Sequence, residues 1–273
     1  MKALHTITGT PRSGSTLLRN ILAQNPAFHV SSTSPVARAL FALQQVASTS
    51  DEVKSELITD GDGSRARMLD AFRGYVDGWY SAHADQICFD TGRGWAAMAQ
   101  LHAQLYPSGR QIVCVRDLRA VFASVEKQHA RYPLLNPVEN LGQLTVADRA
   151  RRLFAPDGLI GTAVVGVEDI LRRGCANAVL VQYEWFVQEP EQALRRIYAA
   201  LGVAYWEGHD FAYVERATEE VDALYLDKFP HEGSGAVTAP EPDEWRRWCP
   251  PDIAGDIMAN FPGYNRAFGY AAQ

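Results

Sequence analysis

The residues with the clearest chemical potential lie near the N-terminus, in a loop rich in glycine and hydroxyl side chains. Residues 9–16 read GTPRSGST and lie between an apolar, β-branched run (Leu4–Thr8) and a helical pattern. In a strand–loop–helix unit, N–H groups of the loop and the first helical turn point at one spot, where the helix dipole adds positive charge. The loop therefore predicts an anion site, with a ligand-free glycine turn as the alternative. The candidate binding residues are Pro11, Arg12, Ser13, Gly14, Ser15 and Thr16.

The loop nearly matches the motif G-x-x-x-x-G-K-[ST], which holds nucleotide triphosphates. Gly9, Gly14 and Thr16 occupy the required positions. Ser15, however, stands where the motif has the lysine that contacts the β- and γ-phosphates. The cation of this loop is Arg12, just before Ser13-Gly14. A loop that keeps the cradle but displaces its cation should bind a different arrangement of phosphates.

Further polar residues come at or just after the ends of predicted strands. Asp90 and Arg93 flank the end of one strand, and Arg116 and Tyr183 follow two others. Ser124 lies on the helix after Arg116, two turns along, so its hydroxyl can face back toward the strand end. Arginine and hydroxyl donors suit phosphate oxygens. The alternatives are a strand-end salt bridge for Arg116 and ordinary packing for Ser124 and Tyr183.

The spacing of apolar residues predicts how these side chains are brought together. Four predicted strands alternate with helical patterns: Leu4–Thr8, Gln86–Asp90, Gln111–Val115 and Ala178–Gln182. This alternation implies parallel pairing through right-handed crossovers, with ligands bound beyond the carboxyl ends of the strands. Residues 27–34 are interpreted as a polar turn, and residues 231–235 as a mobile loop that could act as a lid.

The composition is typical of a soluble globular protein, and we interpret residues 1–273 as one domain. Of the 273 residues, 47% are apolar and 21% are charged. The net charge of −6 argues against nucleic acid as a partner. No apolar run approaches the ~20 residues that span a bilayer, and a signal-peptide pattern is absent. The four cysteines are far apart, so we expect core thiols in a reducing compartment and no metal site. Together with the missing membrane-spanning and signal-peptide patterns, this leads us to expect a cytoplasmic protein.

Two of these segments together resemble the sulfotransferases that use 3′-phosphoadenosine 5′-phosphosulfate (PAPS). The segment TPRSGST, residues 10–16, resembles the 5′-phosphosulfate loop of that family. Arg116 and Ser124 match the arginine and the serine of its 3′-phosphate motif in residue type and in spacing. A third match is Tyr183-Glu184, which resembles the family's YE-x-x-x-x-x-P segment.

The resemblance covers most of the chain in order and is weakest between residues 27 and 84. It implies a three-layer α/β/α fold with a central, mainly parallel sheet, the P-loop NTPase-like sulfotransferase fold. It also implies PAPS as cosubstrate, adenosine 3′,5′-bisphosphate (PAP) as product, and no metal. The sulfuryl group would transfer in line to a hydroxyl, less readily an amine, of a small-molecule acceptor.

The resemblance assigns a role to each part of the predicted site. The loop amides, with Ser15 and Thr16, would hold the 5′-phosphate. Arg12 would neutralise the charge that develops on the bridging oxygen as the S–O bond breaks. The remaining contacts would be Arg116 and Ser124 on the 3′-phosphate and Tyr183 on the adenine.

The catalytic base is the part of the family pattern that this chain matches least. Many members have a histidine on the turn after the second predicted strand, where this chain has Gly92. Others have a glutamate at the end of that strand, near Asp90, which is therefore the first candidate base; a helix cap or a pair with Arg93 is the alternative. Arg93 resembles the cation that stabilises the transferring group. The fallback bases are His29, His129 and His231.

Two other functions fit parts of the pattern. A P-loop nucleotide kinase would need the lysine that Ser15 replaces. A catalytically inactive nucleotide-binding scaffold of the same fold would need no base. For an enzyme, we expect the acceptor side to be built from residues 27–48 and 131–152. The aromatic residues Phe41, Trp79, Trp95 and Tyr132 would suit an apolar or aromatic alcohol, with core packing as the alternative for most of them.

Overall fold

The centre of the protein is a sheet of five parallel strands, seen in a computed structural model that describes residues 3–131, 144–217 and 233–270. Their order is β2-β3-β1-β4-β5, and every pair is parallel. The carboxyl ends therefore lie along one edge, which confirms the predicted α/β arrangement. The strands are β1 (Ala3–Gly9), β2 (Phe28–Thr33), β3 (Ile87–Thr91), β4 (Gln111–Val115) and β5 (Ala178–Gln182).

Helices connect the strands and cover both faces of the sheet. Short 3₁₀ turns occupy Ser81–His83, Arg93–Met98 and Glu244–Arg247. Among the described residues, no helix is both long enough and apolar enough to cross a bilayer. The helices are α1 (Ser15–Leu22), α2 (Val36–Thr49), α3 (Asp51–Thr59), α4 (Gly61–Trp79), α5 (Ala99–Leu105), α6 (Leu118–Arg131), α7 (Val146–Phe154), α8 (Leu159–Arg173), α9 (Tyr183–Gln188), α10 (Pro190–Leu201), α11 (Pro251–Asn260) and α12 (Pro262–Phe268).

Strand β4 shows how the sheet is buried on both sides. Val113 and Val115 belong to the core formed with α6, α7, α8 and α11. The alternate residues, Ile112 and Cys114, belong to the core formed with α1, α9 and α10. Successive side chains of a strand point to opposite faces, so one apolar strand serves both cores. The result is the expected three-layer α/β/α fold.

Strand β2 corrects the interpretation of residues 27–34 as a turn. Phe28 and Val30 are buried and contribute to a core, whereas the residues between and after them are less buried. The strand ends in Ser31-Ser32-Thr33, and hydroxyl residues are typical of turns, so the alternation of buried and less buried residues is hard to recognise in the sequence. β2 pairs with β3 and extends the sheet to an edge strand.

Residues 59–63 contain a single non-helical residue. Asp60 separates α3 from α4, and its Oδ1 accepts a hydrogen bond from the Gly63 N–H at 3.1 Å. A side-chain cap of this kind lets one helix start directly after another. Two residues named above, Tyr132 and His231, and much of the expected lid lie outside the described residues.

Candidate functional site

The loop after β1 is shaped by two glycines that have positive φ angles. Gly9 has φ 134°, and a Cβ there would lie 1.9 Å from the carbonyl oxygen of Cys114 on β4. Gly14 has φ 82°, and a Cβ there would lie 2.6 Å from Cδ2 of Tyr183. Glycine therefore lets the loop pack against β4 and Tyr183, and places the start of α1 beside the carboxyl edge of the sheet.

Arg12 joins this loop to α6. Its backbone is left-handed, with φ 59°, an uncommon conformation for a residue with a side chain. Its Nε donates a hydrogen bond to Ser124 Oγ at 3.0 Å. Nη1 of Arg116 donates to the Arg12 carbonyl oxygen, also at 3.0 Å. Arg12 thus contacts both Arg116 and Ser124, which are 104 and 112 positions away in the sequence. All three residues were predicted to bind the cofactor.

A C-terminal tyrosine, to which the sequence analysis gave no role, holds the backbone of Arg116. The hydroxyl of Tyr264, on α12, donates to the Arg116 carbonyl oxygen at 2.9 Å and lies 3.2 Å from the Arg116 nitrogen. Burial raises the pKa of Tyr264 well above its usual range, so its hydroxyl keeps its proton. The Arg116 guanidinium lies over the Tyr183 ring, with Cζ 4.2 Å from the ring centroid.

Glu184 makes a second connection between the β4–α6 turn and the C-terminal residues. Its carboxylate accepts hydrogen bonds from the Asp117 N–H at 3.0 Å and from the Tyr270 hydroxyl at 2.8 Å. Burial, and then the Glu184 charge, raise the pKa of Tyr270. Asp117 forms an ion pair with Arg119 at 2.7 Å.

Two adjoining cavities lie at the carboxyl edge. The loop cavity, about 510 Å³, is bordered by the glycine loop, the turn after β3 and part of α6. The tryptophan cavity, about 490 Å³, is bordered by α6, α9 and residues 239–245, with Trp245 and Trp248 in its wall. An elongated ligand could therefore extend from one cavity to the other. The residues that line both are Arg12, Arg116, Ser124, Gln128 and Tyr183.

Asp90, the first candidate base, is fully buried. Its Oδ1 accepts from Trp95 Nε1 at 2.6 Å, and its Oδ2 accepts from the Tyr80 hydroxyl. Burial raises the pKa of Asp90, and hydrogen bonds from Ser34, Trp95 and Tyr80 oppose this effect. Asp90 lines neither cavity. The geometry therefore does not favour a direct contact between this carboxylate and a ligand in either cavity.

Arg93 does reach the loop cavity. It follows β3, it is exposed, and its carbonyl oxygen accepts a hydrogen bond from Thr8 Oγ1 at 3.2 Å. That bond fixes the turn after β3 to the end of β1. Arg93 is thus one of the residues that line the loop cavity, together with the glycine loop.

The described fallback histidines lie away from the cavities. His29 stacks on His83 with ring centroids 3.5 Å apart, and burial, followed by the His83 charge, lowers the pKa of His29. Neither His29 nor His129 lines either cavity. Within the described ranges, no group of three or more histidine, cysteine or carboxylate side chains is arranged to hold a metal ion.

The described end of the expected lid packs on α1. Gly233 has φ 45°, and a Cβ there would lie 2.8 Å from Cγ2 of Thr16. Its carbonyl oxygen accepts a hydrogen bond from Asn20 Nδ2 at 2.9 Å. Ser234 follows it in the wall of the loop cavity. Residues 233 and 234 are thus fixed beside the glycine loop.

The aromatic residues considered for the acceptor do not line the cavities in the part of the chain that the structure describes. Phe41 and Trp79 are each 51% exposed, and neither borders a cavity. Trp95 is fully buried below the turn after β3 and binds Asp90. Trp245 and Trp248, which the sequence analysis did not consider, are the tryptophans of the cavity walls.

Comparison with known proteins gives this geometry a family context. A sequence model described as the sulfotransferase family matches residues 6–208, which is well over half of the chain. This chain belongs to the sulfotransferase family. The matched segment contains the glycine loop, Arg116, Ser124 and Tyr183, so the resemblance on which the sequence analysis relied is confirmed.

Individual relatives of this sulfotransferase are distant. Nodulation protein NoeE of Sinorhizobium fredii (strain NBRC 101917 / NGR234) is 26% identical over 212 residues, which are 72% of this chain and 49% of that protein. The chain thus spans about half the length of the curated relative it matches. The sulfotransferase domain from the curacin biosynthetic pathway superimposes with a TM-score of 0.57 at 18% identity, over 96% of this chain and 98% of that one. The mouse sulfotransferase SULT7A1, complexed with PAP, gives 0.51 at 12% identity, over 97% and 85%.

Proposed function

We propose that this sulfotransferase uses PAPS to sulfate a hydroxyl, less readily an amine, of a small-molecule acceptor. The observation that carries the proposal is the contact of Arg12 with both Ser124 and Arg116 at the wall shared by the two cavities. PAPS has a phosphosulfate at one end of its ribose and a phosphate on the 3′-oxygen. A site with two adjoining anion-binding regions fits that arrangement better than a linear triphosphate.

The shared wall suggests how the donor lies. The phosphosulfate belongs in the loop cavity, against the loop amides, Ser15 and Thr16. The 3′-phosphate belongs at Arg116 and at the hydroxyl of Ser124. Tyr183, whose ring already carries the Arg116 guanidinium on one face, would contact the adenine from the tryptophan-cavity side.

The transfer itself is a displacement at sulfur. The acceptor oxygen forms a bond to sulfur, the bridging S–O bond breaks, and PAP leaves with the electron pair of that bond. Arg12, which belongs to the loop, would neutralise the charge that develops on the bridging oxygen, and Arg93, which also lines the loop cavity, would contact the transferring sulfuryl oxygens. The acceptor proton leaves to a base or to water.

The candidate for the proton acceptor comes from the family pattern. Asp90 stays the candidate from the family pattern, but its two oxygens are occupied and its side chain is buried. Among the described residues that line the loop cavity, none has a carboxylate or an imidazole.

Transfer of radiolabelled sulfate from PAPS tests the proposal directly. The protein is incubated with labelled PAPS and a panel of alcohols, phenols, sugars and amines, and labelled products are separated from PAPS. The proposal predicts at least one labelled sulfate ester that the variant Arg12→Ala makes much more slowly. Tight binding of PAP without transfer to any acceptor would support the inactive scaffold instead, and failure to bind PAP would contradict the proposal.

A further inference from the structure

The backbone of Arg116 is held by a side chain at the point where strand β4 ends. Val115 is the last residue of β4, and it is also the last to pair with β5. Directly beyond it, the hydroxyl oxygen of Tyr264 lies 2.9 Å from the Arg116 carbonyl oxygen and 3.2 Å from the Arg116 nitrogen. A phenolic hydroxyl can donate one hydrogen bond and accept another. The same hydroxyl therefore serves both backbone groups of Arg116 where the strand pairing stops.

The next residue of the turn, Asp117, is held from the same C-terminal segment through Glu184. The Asp117 N–H donates to Glu184 Oε1 at 3.0 Å, and the Tyr270 hydroxyl donates to Glu184 Oε2 at 2.8 Å. The rings of Tyr264 and Tyr270 are nearly parallel, with centroids 6.2 Å apart. Two hydroxyls from residues 264–270 thus hold two consecutive backbone positions between β4 and α6.

The position of the Tyr264 hydroxyl is set by contacts of α12 with the rest of the fold. The Tyr264 side chain is fully buried and belongs to the core that α6 and α8 form on one face of the sheet. Its backbone N–H donates to Oε1 of Glu168, on α8, at 3.1 Å. The carbonyl oxygen of Phe268, at the end of α12, accepts from Nε2 of Gln182 at the end of β5, also at 3.1 Å. The folded protein therefore fixes this hydroxyl without any ligand.

A fixed backbone matters at Arg116 because its side chain is long. An arginine side chain has a large rotamer entropy, and binding is weakened by whatever order it must impose on such a group. The guanidinium already contacts the Arg12 carbonyl oxygen and the Tyr183 ring. Together with the Tyr264 hydroxyl, these contacts hold Arg116 at both its backbone and its guanidinium. The segment matched by the family model ends at residue 208, so Tyr264 lies beyond it.

We propose that Tyr264 is a positioning residue for the donor, whose hydroxyl fixes the backbone of Arg116 so that the guanidinium meets the 3′-phosphate. Tyr264 lines neither cavity, so it acts through Arg116 and not by touching the nucleotide. Tyr270 supports the same turn through Glu184 and Asp117. The inference rests on the proposed function, because it takes the 3′-phosphate of PAPS as the ligand of Arg116.

Two nucleotides that differ only in the 3′-phosphate test this inference. Calorimetry gives the affinities of PAP and of adenosine 5′-monophosphate for the natural protein and for Tyr264→Phe, which removes the hydroxyl and keeps the ring. The ratio of PAP affinity to monophosphate affinity should fall by ~5-fold, a part of the charge-assisted contact that Arg116 makes. In the Arg116→Ala background, the same substitution should leave the ratio unchanged, because the two residues act as one unit.

Tyr198→Phe is the matched control. Tyr198 is 1% exposed and lines neither cavity, and its hydroxyl lies 2.8 Å both from Asn25 Nδ2 and from His209 Nε2. Both phenylalanine variants should lower the midpoint of urea unfolding, since each loses a buried, hydrogen-bonded hydroxyl. Tyr264→Phe alone should lower the nucleotide ratio. Where Tyr264→Phe shows no cooperative unfolding, Tyr270→Phe takes its place and should lower the ratio in the same direction.

The outcomes separate this inference from the proposed function. An unchanged ratio in the tyrosine variant that folds, an equal fall in Tyr198→Phe, or a further fall in the Arg116→Ala background would overturn the inference alone. Failure of the natural protein to bind PAP would overturn the proposed function as well.

Discussion

Arg12 donates its Nε hydrogen to Ser124 Oγ at 3.0 Å, so the cation of the glycine loop and the hydroxyl of α6 form one unit. Ser124 accepts this bond with a lone pair and keeps its own hydrogen for another acceptor. A phosphate bound at Ser124 would therefore share that serine with the arginine of the loop. In the proposed function, the two ends of the donor are coupled through this hydrogen bond.

Arg116→Ala should weaken PAP binding by roughly 10- to 150-fold, because a charge-assisted contact contributes about 1.5–3 kcal/mol. Adenosine 5′-monophosphate, which lacks the 3′-phosphate, should lose much less affinity. Calorimetry of both nucleotides measures the difference, with Arg172→Ala as the control. Equal losses for the two nucleotides would show that Arg116 does not bind the 3′-phosphate.

Gly14→Ala should lower PAP affinity by at least ~10-fold. The new Cβ would lie 2.6 Å from the Tyr183 ring, and the φ of 82° is unfavourable for alanine by about 1–2 kcal/mol. The matched control is Gly78→Ala on α4, where a Cβ meets nothing within 4 Å and alanine favours the helix. Calorimetry with PAP and urea unfolding should be run on both variants. Equal effects of the two substitutions would contradict the packing described for the loop.

Asp90→Asn should change how stability depends on pH. The folded-state pKa of Asp90 is raised, so its contribution is favourable below the unfolded pKa and is lost as the pH rises through the folded pKa. Asparagine cannot titrate. Urea unfolding at several pH values between 4 and 8 measures the free energy of unfolding of both proteins. The value for the natural protein relative to the variant should therefore fall as the pH rises. A constant difference would mean that Asp90 is not buried as described.

The same variant separates two roles of Asp90 in turnover. As the base, Asp90 would make its asparagine variant at least ~10²-fold slower, with the corresponding limb of the pH–rate profile missing. Its burial leads us to expect a smaller loss, under ~10-fold, with that limb retained. The measurement is kcat against pH for an acceptor found in the transfer assay.

His102 should give the opposite pH dependence. It is fully buried, and burial lowers its pKa from 6.5 to about 4. Its contribution to stability is present above the unfolded pKa of 6.5 and is lost as the pH falls toward 4. By this account, unfolding with urea shows the natural protein losing stability relative to His102→Gln as the pH falls from 7 to 5. A relative gain on acidification would contradict the assignment of a neutral, buried imidazole.

The parts of the site that the sequence predicted are those where local constraints dominate. Gly9 and Gly14 have positive φ angles, which glycine adopts readily. Glycines in a loop between an apolar strand and a helix therefore indicate this backbone conformation from the sequence alone. Arg116 and Ser124 lie at the end of a strand and on the helix that follows, so their spacing alone places them on one side. The contact of both with Arg12 then follows from the parallel order of β1 and β4.

Other features depend on contacts that no local pattern encodes. Tyr264 reaches Arg116 across 148 positions, and nothing in the sequence of α12 marks it as a partner of the site. The burial of Asp90 depends on Tyr80 and Trp95, whose aromatic rings look like ordinary core residues in the sequence. Strand β2 was missed because its polar end resembles a turn, although Phe28 and Val30 are buried.

Competition between PAP and ATP with Mg²⁺ for the unmodified protein tests the central claim most directly. Isothermal calorimetry of each ligand, followed by titration of PAP into protein saturated with ATP and Mg²⁺, gives both affinities on one sample. The account predicts that PAP binds at least ~10²-fold more tightly, because the loop has Ser15 in place of the triphosphate lysine and Arg116 with Ser124 serves a 3′-phosphate. Tighter binding of ATP, or no binding of PAP, would contradict it.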